Sequence, residues 1–300
     1  MAQKVEIEDT FAEAFPMLAS RILITAANEE WARIAAKTAT GFASSIIMSP
    51  AEAGVEGPLV PPEKTPDGRP GVYIQIYHRT GHELKAQLIS RIGQCILTCP
   101  TTAAFDAMPH PRKMLRIGAS IRMFGDGYEK KDKLGDRTIW RIPVMEGEFI
   151  IEHKFGIRRC VAGGNFLVMA EDQASALKGA MQAVKAMEKI EGVVLTFPGG
   201  ICRSGSKVGS MKYKLPASTN HPFCPLLKGV VPESKVPDGV KSIYEIVFNG
   251  ITTEVVKKAM AVGVKAASEV EGVKKISAVN FGGKLGPFQI SLKEALESLK

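Results

Sequence analysis

The chain has 300 residues, of which 45% are hydrophobic and 23% charged, and its formal net charge at pH 7 is +8. This composition is that of an ordinary globular protein, and it excludes long disorder, a collagen-like helix and a coiled coil. A chain of this length folds without a disulfide framework or a metal, and its positive charge favours anionic partners in general, although a mixed solvated surface explains the charge equally well.

The N-terminal segment predicts a cytoplasmic protein. Residues 1–16 carry charges of both signs and contain no apolar run of signal-peptide length. The stretch 17–27 is more apolar, but polar residues interrupt it and it is shorter than the ~20 residues of a membrane span. The five cysteines, an odd number, indicate reduced thiols. Cys95 and Cys99 would share one face of a strand as small buried side chains, since their spacing is a poor zinc pattern.

A repeated β-α-β plan runs along the chain. Each unit is predicted from an apolar run typical of a strand, a stripe with helical period and a second apolar run. The first half contains, in order, strand 21–26, a helix with Asn28 as its N-cap and an apolar stripe over 31–42, strand 45–48, strand 72–78, helix 83–92 and strand 95–98. The second half contains strand 166–170, helix 173–190, strand 193–197, strand 242–248, helix 253–268 and strand 274–279.

The same order of units in both halves indicates an internal duplication. Stretches rich in Gly, Pro and Ser, 50–71 and 198–239, connect the two units within each half. Two successive β-α-β units predict a ferredoxin-like sandwich, in which two helices cover one face of a four-stranded antiparallel sheet. Short β-prone runs among glycines predict an inserted antiparallel region between the halves. The expected fold is therefore α+β, with ferredoxin-like lobes at 1–110 and 161–300 and a β-rich connection at 111–160.

Two loops, 204–209 and 282–287, place glycines beside Lys207 and Lys284. Exposed backbone N–H groups with an ammonium nearby can bind a phosphate or a carboxylate. Neither loop has the P-loop or the dinucleotide-binding spacing, so nucleotide binding of the standard kinds is not expected. Ordinary tight turns remain the simpler interpretation of each loop.

Glu245 is the most informative single residue. In strand 242–248 its side chain shares a face with the β-branched residues Ile243 and Val247. Desolvation by such neighbours raises the pKa of a carboxyl, and carboxyls of this kind cluster at active sites. The alternative is an edge strand on which the face that carries Glu245 is partly wet.

Several kinds of functional site lack support in the sequence. The five histidines are scattered without metal-ligand spacing, so no metal site is predicted. No nucleophile elbow or Cys/His arrangement indicates an acyl-enzyme. The functions that remain possible are direct transfer between two bound substrates and a role without catalysis. The competing class is a non-enzymatic RNA-binding protein of ferredoxin-like fold, whose characteristic aromatic strand motif is missing here.

Separated motifs over essentially the whole chain carry a family resemblance. They lie, in order, at residues 8–15, 65–71, 93–102, 124–128, 199–200, 205–209, 218–221 and 282–287. Together with the chain length, they resemble the formylmethanofuran:tetrahydromethanopterin formyltransferases. The order and number of these motifs make the resemblance far more specific than any single loop.

The resemblance implies an acyltransferase of one-carbon metabolism in methanogenic archaea and some methylotrophic bacteria. Such an enzyme moves a formyl group from formylmethanofuran to N5 of tetrahydromethanopterin, by direct transfer in a ternary complex. The family also implies two ferredoxin-like lobes, a homodimer or homotetramer with its cleft at a subunit interface, and no cofactor, since both carriers are substrates. A subunit of a larger complex with a hydrolase partner stays open. Neither nucleic acid nor a membrane is an expected partner.

The resemblance also assigns roles to residues. The strand motif Tyr-Glu-Ile of the family matches Tyr244 to Ile246 here and gives the catalytic role to Glu245. A neutral Glu245 would donate a hydrogen bond to the developing oxyanion or protonate the leaving amine. The residues expected to bind substrate are Ser206, Lys207, Asn220, His221 and Lys284.

Overall fold

The computed structural model describes residues 5–299, which form two compact units. The N-terminal unit is Met17–Arg159, and the C-terminal unit combines the residues up to Pro16 with those from Cys160 onward. The first residues belong to the C-terminal unit because two of its strands, described below, pair with them. The three-part division expected from the sequence remains a prediction.

The chain contains single α-helices separated by groups of two to four strands. In order they are β1 (Glu6–Ile7), β2 (Phe11–Thr25), α1 (Glu29–Ala39), β3 (Glu52–Val60), β4 (Gly71–His78), α2 (Gly81–Arg91), β5 (Ala103–Asp106), β6 (Lys113–Leu115), α3 (Ile117–Ile121), β7 (Lys130–Leu134), β8 (Arg137–Val144), β9 (Gly147–Glu152), β10 (Phe155–Ala170), α4 (Gln173–Met187), β11 (Val193–Leu195), β12 (Ser242–Gly250), α5 (Thr253–Ser268), β13 (Val273–Ser277), β14 (Phe288–Ser291) and α6 (Leu292–Glu297). The protein is therefore a mixed α+β structure, as the sequence predicts.

The N-terminal unit contains a sheet in the order β3-β4-β2-β5, in which every neighbouring pair is antiparallel. The chain builds it as β2-α1-β3-β4-α2-β5. Asn28 caps α1 by accepting a hydrogen bond from the backbone N–H of Trp31, at 3.0 Å, which confirms the predicted start of this helix. Alternate strand residues and the inner faces of the helices share one core, which includes Ile22, Ile24, Ile74, Ile76, Ala35 and Leu88.

Two predicted strands of this unit are wrong. Residues 45–48 form a turn, and the strand is β3, within the stretch that its glycines and proline mark as a loop. That strand has a register shift between Val55 and Leu59, and such a bulge accommodates the Gly and Pro residues there. Residues 95–98 do not form a strand, because a π-helix, Ile92–Ile96, continues α2. An apolar run of only four residues has the same pattern in a strand and in a buried helical turn, so it does not distinguish the two.

The π-helix also corrects the expected environment of two cysteines. Cys95 and Cys99 share no strand face; both are half-buried and pack against the core of the N-terminal unit. The region between the two halves does contain the expected antiparallel strands. In it β7, β8 and β9 pair in sequence, and β9 also runs parallel to β5.

A buried polar network lies in the sheet of the N-terminal unit. Arg21 donates two hydrogen bonds to the carboxylate of Glu56, at 2.6 and 2.8 Å, and Gln75 donates a third at 2.6 Å. Glu56 and Gln75 are fully buried, and Arg21 is 6% exposed. The guanidinium of Arg21 lies 3.7 Å from the centre of the Tyr73 ring. A charge in the interior is tolerated when it is paired and hydrogen-bonded in this way.

The C-terminal unit contains a sheet in the order β13-β10-β12-β11, again with antiparallel neighbours throughout. The chain builds it as β10-α4-β11-β12-α5-β13. Strand β1 extends the sheet parallel to β13, and β14 pairs with the first residues of β2. The bounds of α5 match the predicted helix, and the four predicted strands of this half lie where the sequence places them. Alanine is the most frequent residue on the buried faces of α4 and α5.

Candidate functional site

Glu245 lies in the middle of the C-terminal sheet. Strand β12 carries it, with Leu167 of β10 opposite on one side. On the other side the backbone of Cys202 exchanges two hydrogen bonds with that of Glu245, at 2.8 and 3.1 Å. Glu245 is 2% exposed. The wet edge strand that the sequence leaves open for this residue is therefore wrong, because both edges of the strand are paired at this point.

Ser206 holds the carboxyl of Glu245. Its backbone N–H donates to one carboxylate oxygen at 2.7 Å, and its hydroxyl donates to the other at 2.8 Å. Burial raises the pKa of Glu245, while the two hydrogen bonds from Ser206 lower it, and the balance leaves the pKa above its ordinary value. A carboxyl in this environment is oriented and more readily protonated than an exposed one.

A small cavity of about 110 Å³ adjoins this carboxyl. Its walls include Glu245, Ile243, Asn220 and Cys202. Burial raises the pKa of the Cys202 thiol, so this cysteine stays neutral and is a poor nucleophile. The cavity has room for a group of only a few atoms, beside one carboxyl that can carry a proton.

Two of the residues expected to bind substrate lie at this cavity or its carboxyl. Asn220 lines the cavity, and Ser206 contacts Glu245 directly. The side-chain amide of Asn220 forms no hydrogen bond to any of residues 5–299. Gly205 makes room for Asn220: with φ at +74°, a Cβ on this glycine would lie 2.5 Å from the Asn220 Cβ. The unpaired amide is therefore available to a bound molecule.

The other three expected residues do not line this cavity. Lys207 donates to the backbone carbonyl of Gly209 at 3.3 Å and to the Ser218 hydroxyl at 3.1 Å, so it ties its own loop together. His221 lies 2.9 Å from a carboxylate oxygen of Glu233. Lys284 is exposed in its loop. Their roles as substrate-binding residues remain predictions.

A second buried carboxylate of the C-terminal unit, Glu13, is absent from the residues expected at the site. It is 1% exposed, and four backbone N–H groups of the loop that carries Lys284 donate to it. Burial alone raises the pKa of Glu13, but the four donors outweigh it and hold the pKa below its ordinary value. The signal in the sequence is the same as for Glu245: a carboxylate between apolar neighbours in a strand.

Replacing Glu13 with glutamine should destabilise the protein by about 2 to 3 kcal/mol at pH 7. The side-chain NH2 group of glutamine is a donor, so it would face backbone N–H donors that need an acceptor. The pKa of Glu13 is lowered in the folded state, so its stabilising contribution is complete above the unfolded pKa, about 4.3, and disappears as the pH falls through the folded pKa. The difference in unfolding free energy, measured with urea, should shrink between about pH 7 and pH 3. Glu30→Gln, at an exposed carboxyl of α1, is the control. A difference independent of pH would contradict the prediction.

A larger cavity, of about 910 Å³, lies in the N-terminal unit beside Asp106, Arg137 and Glu152. None of the expected site residues lines it. Asp106 accepts from the backbone N–H groups of Met108 and Gly156, and Arg137 pairs with Glu152. Burial raises the pKa of both carboxyls, while these partners lower it. The carboxyls are thus engaged in holding the local structure.

Across residues 5–299, no helix is long and apolar enough to cross a membrane. Within the same range, no three His, Cys, Asp or Glu side chains come together in a group that could hold a metal ion.

The chain is similar to known proteins over nearly its whole length. The profile of the family described as formylmethanofuran-tetrahydromethanopterin formyltransferase matches residues 1–144, and that of its proximal lobe matches residues 147–295. Formylmethanofuran–tetrahydromethanopterin formyltransferase of Methanocaldococcus jannaschii is 57% identical over 297 residues, which cover 98% of both chains. The enzyme of the same name from Methanopyrus kandleri is 56% identical over 293 residues, covering 97% of this chain and 98% of the relative.

Solved structures show the same relationship. The formyltransferase of Methanosarcina barkeri superposes with a TM-score of 0.93 at 49% identity, covering 97% of this chain and 98% of that one. A chain of the formyltransferase/hydrolase complex from Methylorubrum extorquens, solved with methylofuran, superposes with a TM-score of 0.92 at 42% identity and covers 97% of both chains. This chain belongs to the formylmethanofuran–tetrahydromethanopterin formyltransferase family.

Proposed function

We propose that this chain transfers the formyl group of formylmethanofuran to N5 of tetrahydromethanopterin while both carriers are bound. The observation that carries the proposal is the buried Glu245 carboxyl, oriented by Ser206 at a small cavity. Relatives at 57% and 56% identity are named for this reaction. The family and the geometry therefore support the same chemistry.

The reaction requires alignment of two substrates and control of one proton. N5 attacks the formyl carbon, and a C–N bond forms while the carbonyl oxygen gains negative charge. The bond to the methanofuran nitrogen then breaks, and that amine must take up a proton to leave, while N5 gives one up. Holding the two carriers at contact distance supplies much of the rate, since it removes the entropic cost of their encounter.

Two side chains at the cavity suit these needs. A protonated Glu245 can deliver its proton to the leaving amine or donate a hydrogen bond to the oxyanion. The unpaired amide of Asn220 is a second donor for that oxyanion. Ser206 acts on the carboxyl, because its two hydrogen bonds fix the direction in which the carboxyl faces.

We also propose that each unit contains a ferredoxin-like lobe. The antiparallel orders β3-β4-β2-β5 and β11-β12-β10-β13 support this, with a helix after the first and the third strand in each case. Superposing the six elements of one unit on those of the other tests the duplication. All four strands and both helices should align in chain order.

We propose further that the enzyme is a cytoplasmic homodimer or homotetramer that needs no metal or prosthetic group. A second candidate is formyl transfer within a complex that also holds a hydrolase. The similarity to a chain of the formyltransferase/hydrolase complex favours that candidate. Light scattering of the active protein distinguishes an oligomer from a monomer of 32.3 kDa, and an active monomer would contradict the proposed assembly.

A formyl-transfer assay with the two purified carriers tests the function. The purified chain alone should transfer formyl, and should do so at the same rate after exhaustive chelation. Transfer that requires an added hydrolase subunit would favour the complex instead. No transfer under either condition would overturn the proposal.

A further inference from the structure

The N-terminal unit has another cavity, separate from the one beside Asp106, and its lining is strongly basic. Its volume is about 470 Å³, within the range of small-molecule sites. Lys85 of α2, Arg116 before α3, Arg122 after α3 and Lys131 of β7 supply four cations, and no Asp or Glu lines the pocket. We call this cavity the basic pocket.

Three of these four cations have no anionic partner in the part of the chain that the structure describes. Arg122 pairs with Glu129, and its guanidinium lies 4.7 Å from the centre of the Trp140 ring. Lys85, Arg116 and Lys131 form no ion pair with any of residues 5–299. They come from separate elements, so the fold brings them together. Converging like charges repel, and a bound anion is the simplest way to offset that repulsion.

The lining also contains a neutral donor. The indole N–H of Trp140 donates to Nδ1 of His153 at 2.9 Å, so a neutral ring carries its proton on Nε2. Burial lowers the pKa of His153, and the nearby charges of Lys131, Arg116, Lys154 and Arg122 lower it further. His153 is therefore an N–H donor that adds no further charge at neutral pH.

We propose that the basic pocket binds a small multivalent oxyanion, of the phosphate or polycarboxylate class, through Lys85, Arg116 and Lys131. An anion with a single charge would leave most of the positive charge uncompensated, so two or more negative charges fit the lining better. The guanidinium of Arg116 suits such a group because its N–H donors match a pair of anionic oxygens. The basic pocket would bind such an anion whether or not Glu245 has the role proposed for it.

Isothermal titration of the whole protein tests the basic pocket, with pyrophosphate and citrate as the probes in about 0.1 M KCl. We expect saturable binding of one ion per chain. Arg116→Ala and Lys131→Ala should each raise the Kd by about tenfold, since each removes charged hydrogen bonds to the ion. The matched control is Lys178→Ala, at an exposed lysine of α4 that forms no ion pair within residues 5–299, which should leave the Kd unchanged.

The two probes separate the sources of the anion. Tighter binding of pyrophosphate assigns the site to phosphorylated ligands, and tighter binding of citrate assigns it to polycarboxylates. Absence of saturable binding for both probes, or an equal loss in the Lys178→Ala control, would overturn the inference. Arg116 and Lys131 are both exposed, so their variants should fold, and circular dichroism verifies this. Because the readout is binding, its failure is distinct from a failure of formyl transfer.

Discussion

Replacing Glu245 with alanine should lower the turnover of formyl transfer by on the order of 10² to 10³-fold, because it removes the carboxyl proposed to act on the oxyanion or on the leaving amine. Glu245→Gln separates the two possible tasks of the carboxyl. If Glu245 donates a hydrogen bond to the oxyanion, the amide N–H of glutamine keeps part of the rate. If Glu245 transfers a proton, glutamine should lower the turnover nearly as much as alanine, because an amide cannot act as an acid near neutral pH.

Steady-state kinetics of both variants with both carriers provides the measurement, with folding and assembly checked for each. The matched control is Glu269→Gln, at an exposed carboxyl of the same unit, which should keep the wild-type turnover. Near-wild-type turnover in both Glu245 variants would show that the carboxyl has no catalytic role. The chemistry would then belong to the loops around the cavity.

Replacing Arg21 with methionine should destabilise the protein by about 3 to 5 kcal/mol, since it leaves the carboxylate of Glu56 buried without its cation. The double variant with Glu56→Gln should recover a large part of this loss, because the second change removes the unpaired charge. The control is Arg141→Met: Arg141 pairs with the half-exposed Asp132 and Glu148, and such a pair contributes less than about 1 kcal/mol.

Urea unfolding at pH 7 measures the free energy of unfolding of the three variants and the wild type. The single Arg21 variant should be the least stable. The double variant should lie between it and the wild type, and the Arg141 variant should be close to the wild type. A double variant no more stable than the single one would contradict the assignment of the loss to an unpaired charge. It would point instead to the packing of the Arg21 side chain over Tyr73.

The parts of the fold that the sequence predicts correctly are those with a strong local signal. Helix α5 has the predicted bounds because Thr252 caps its start and an apolar stripe continues to its end. Strand β3 has a weaker signal, because Gly57 and Pro58 interrupt its pattern at the bulge. The π-helix is indistinguishable from a strand in a run as short as 95–98. Local patterns specify elements well when the elements are long and regular.

At the candidate site, too, the features with a local sequence signal are predictable and those that depend on long-range contacts are not. The burial of Glu245 in a strand is predictable because a carboxyl flanked by apolar residues is conspicuous within a few residues, whereas its catalytic role stays a prediction. Its contact with Ser206 spans 39 residues and depends on how a long loop folds back on the sheet. The partners of Glu13 are farther still along the chain, 268 to 273 residues away. Contacts of this range leave no periodic trace in a single sequence.

The two hydrogen bonds from Ser206 couple the position of its loop to the protonation of Glu245. Both bonds favour the charged form of the carboxyl. Because linkage is reciprocal, protonation of Glu245 weakens the binding of the loop to the carboxyl by the same free energy. A bound group that draws Ser206 away from the carboxyl would therefore raise the pKa of Glu245 further and favour its protonated form. If Glu245 is the acid proposed above, binding of such a group would itself favour the form of the carboxyl that the reaction needs.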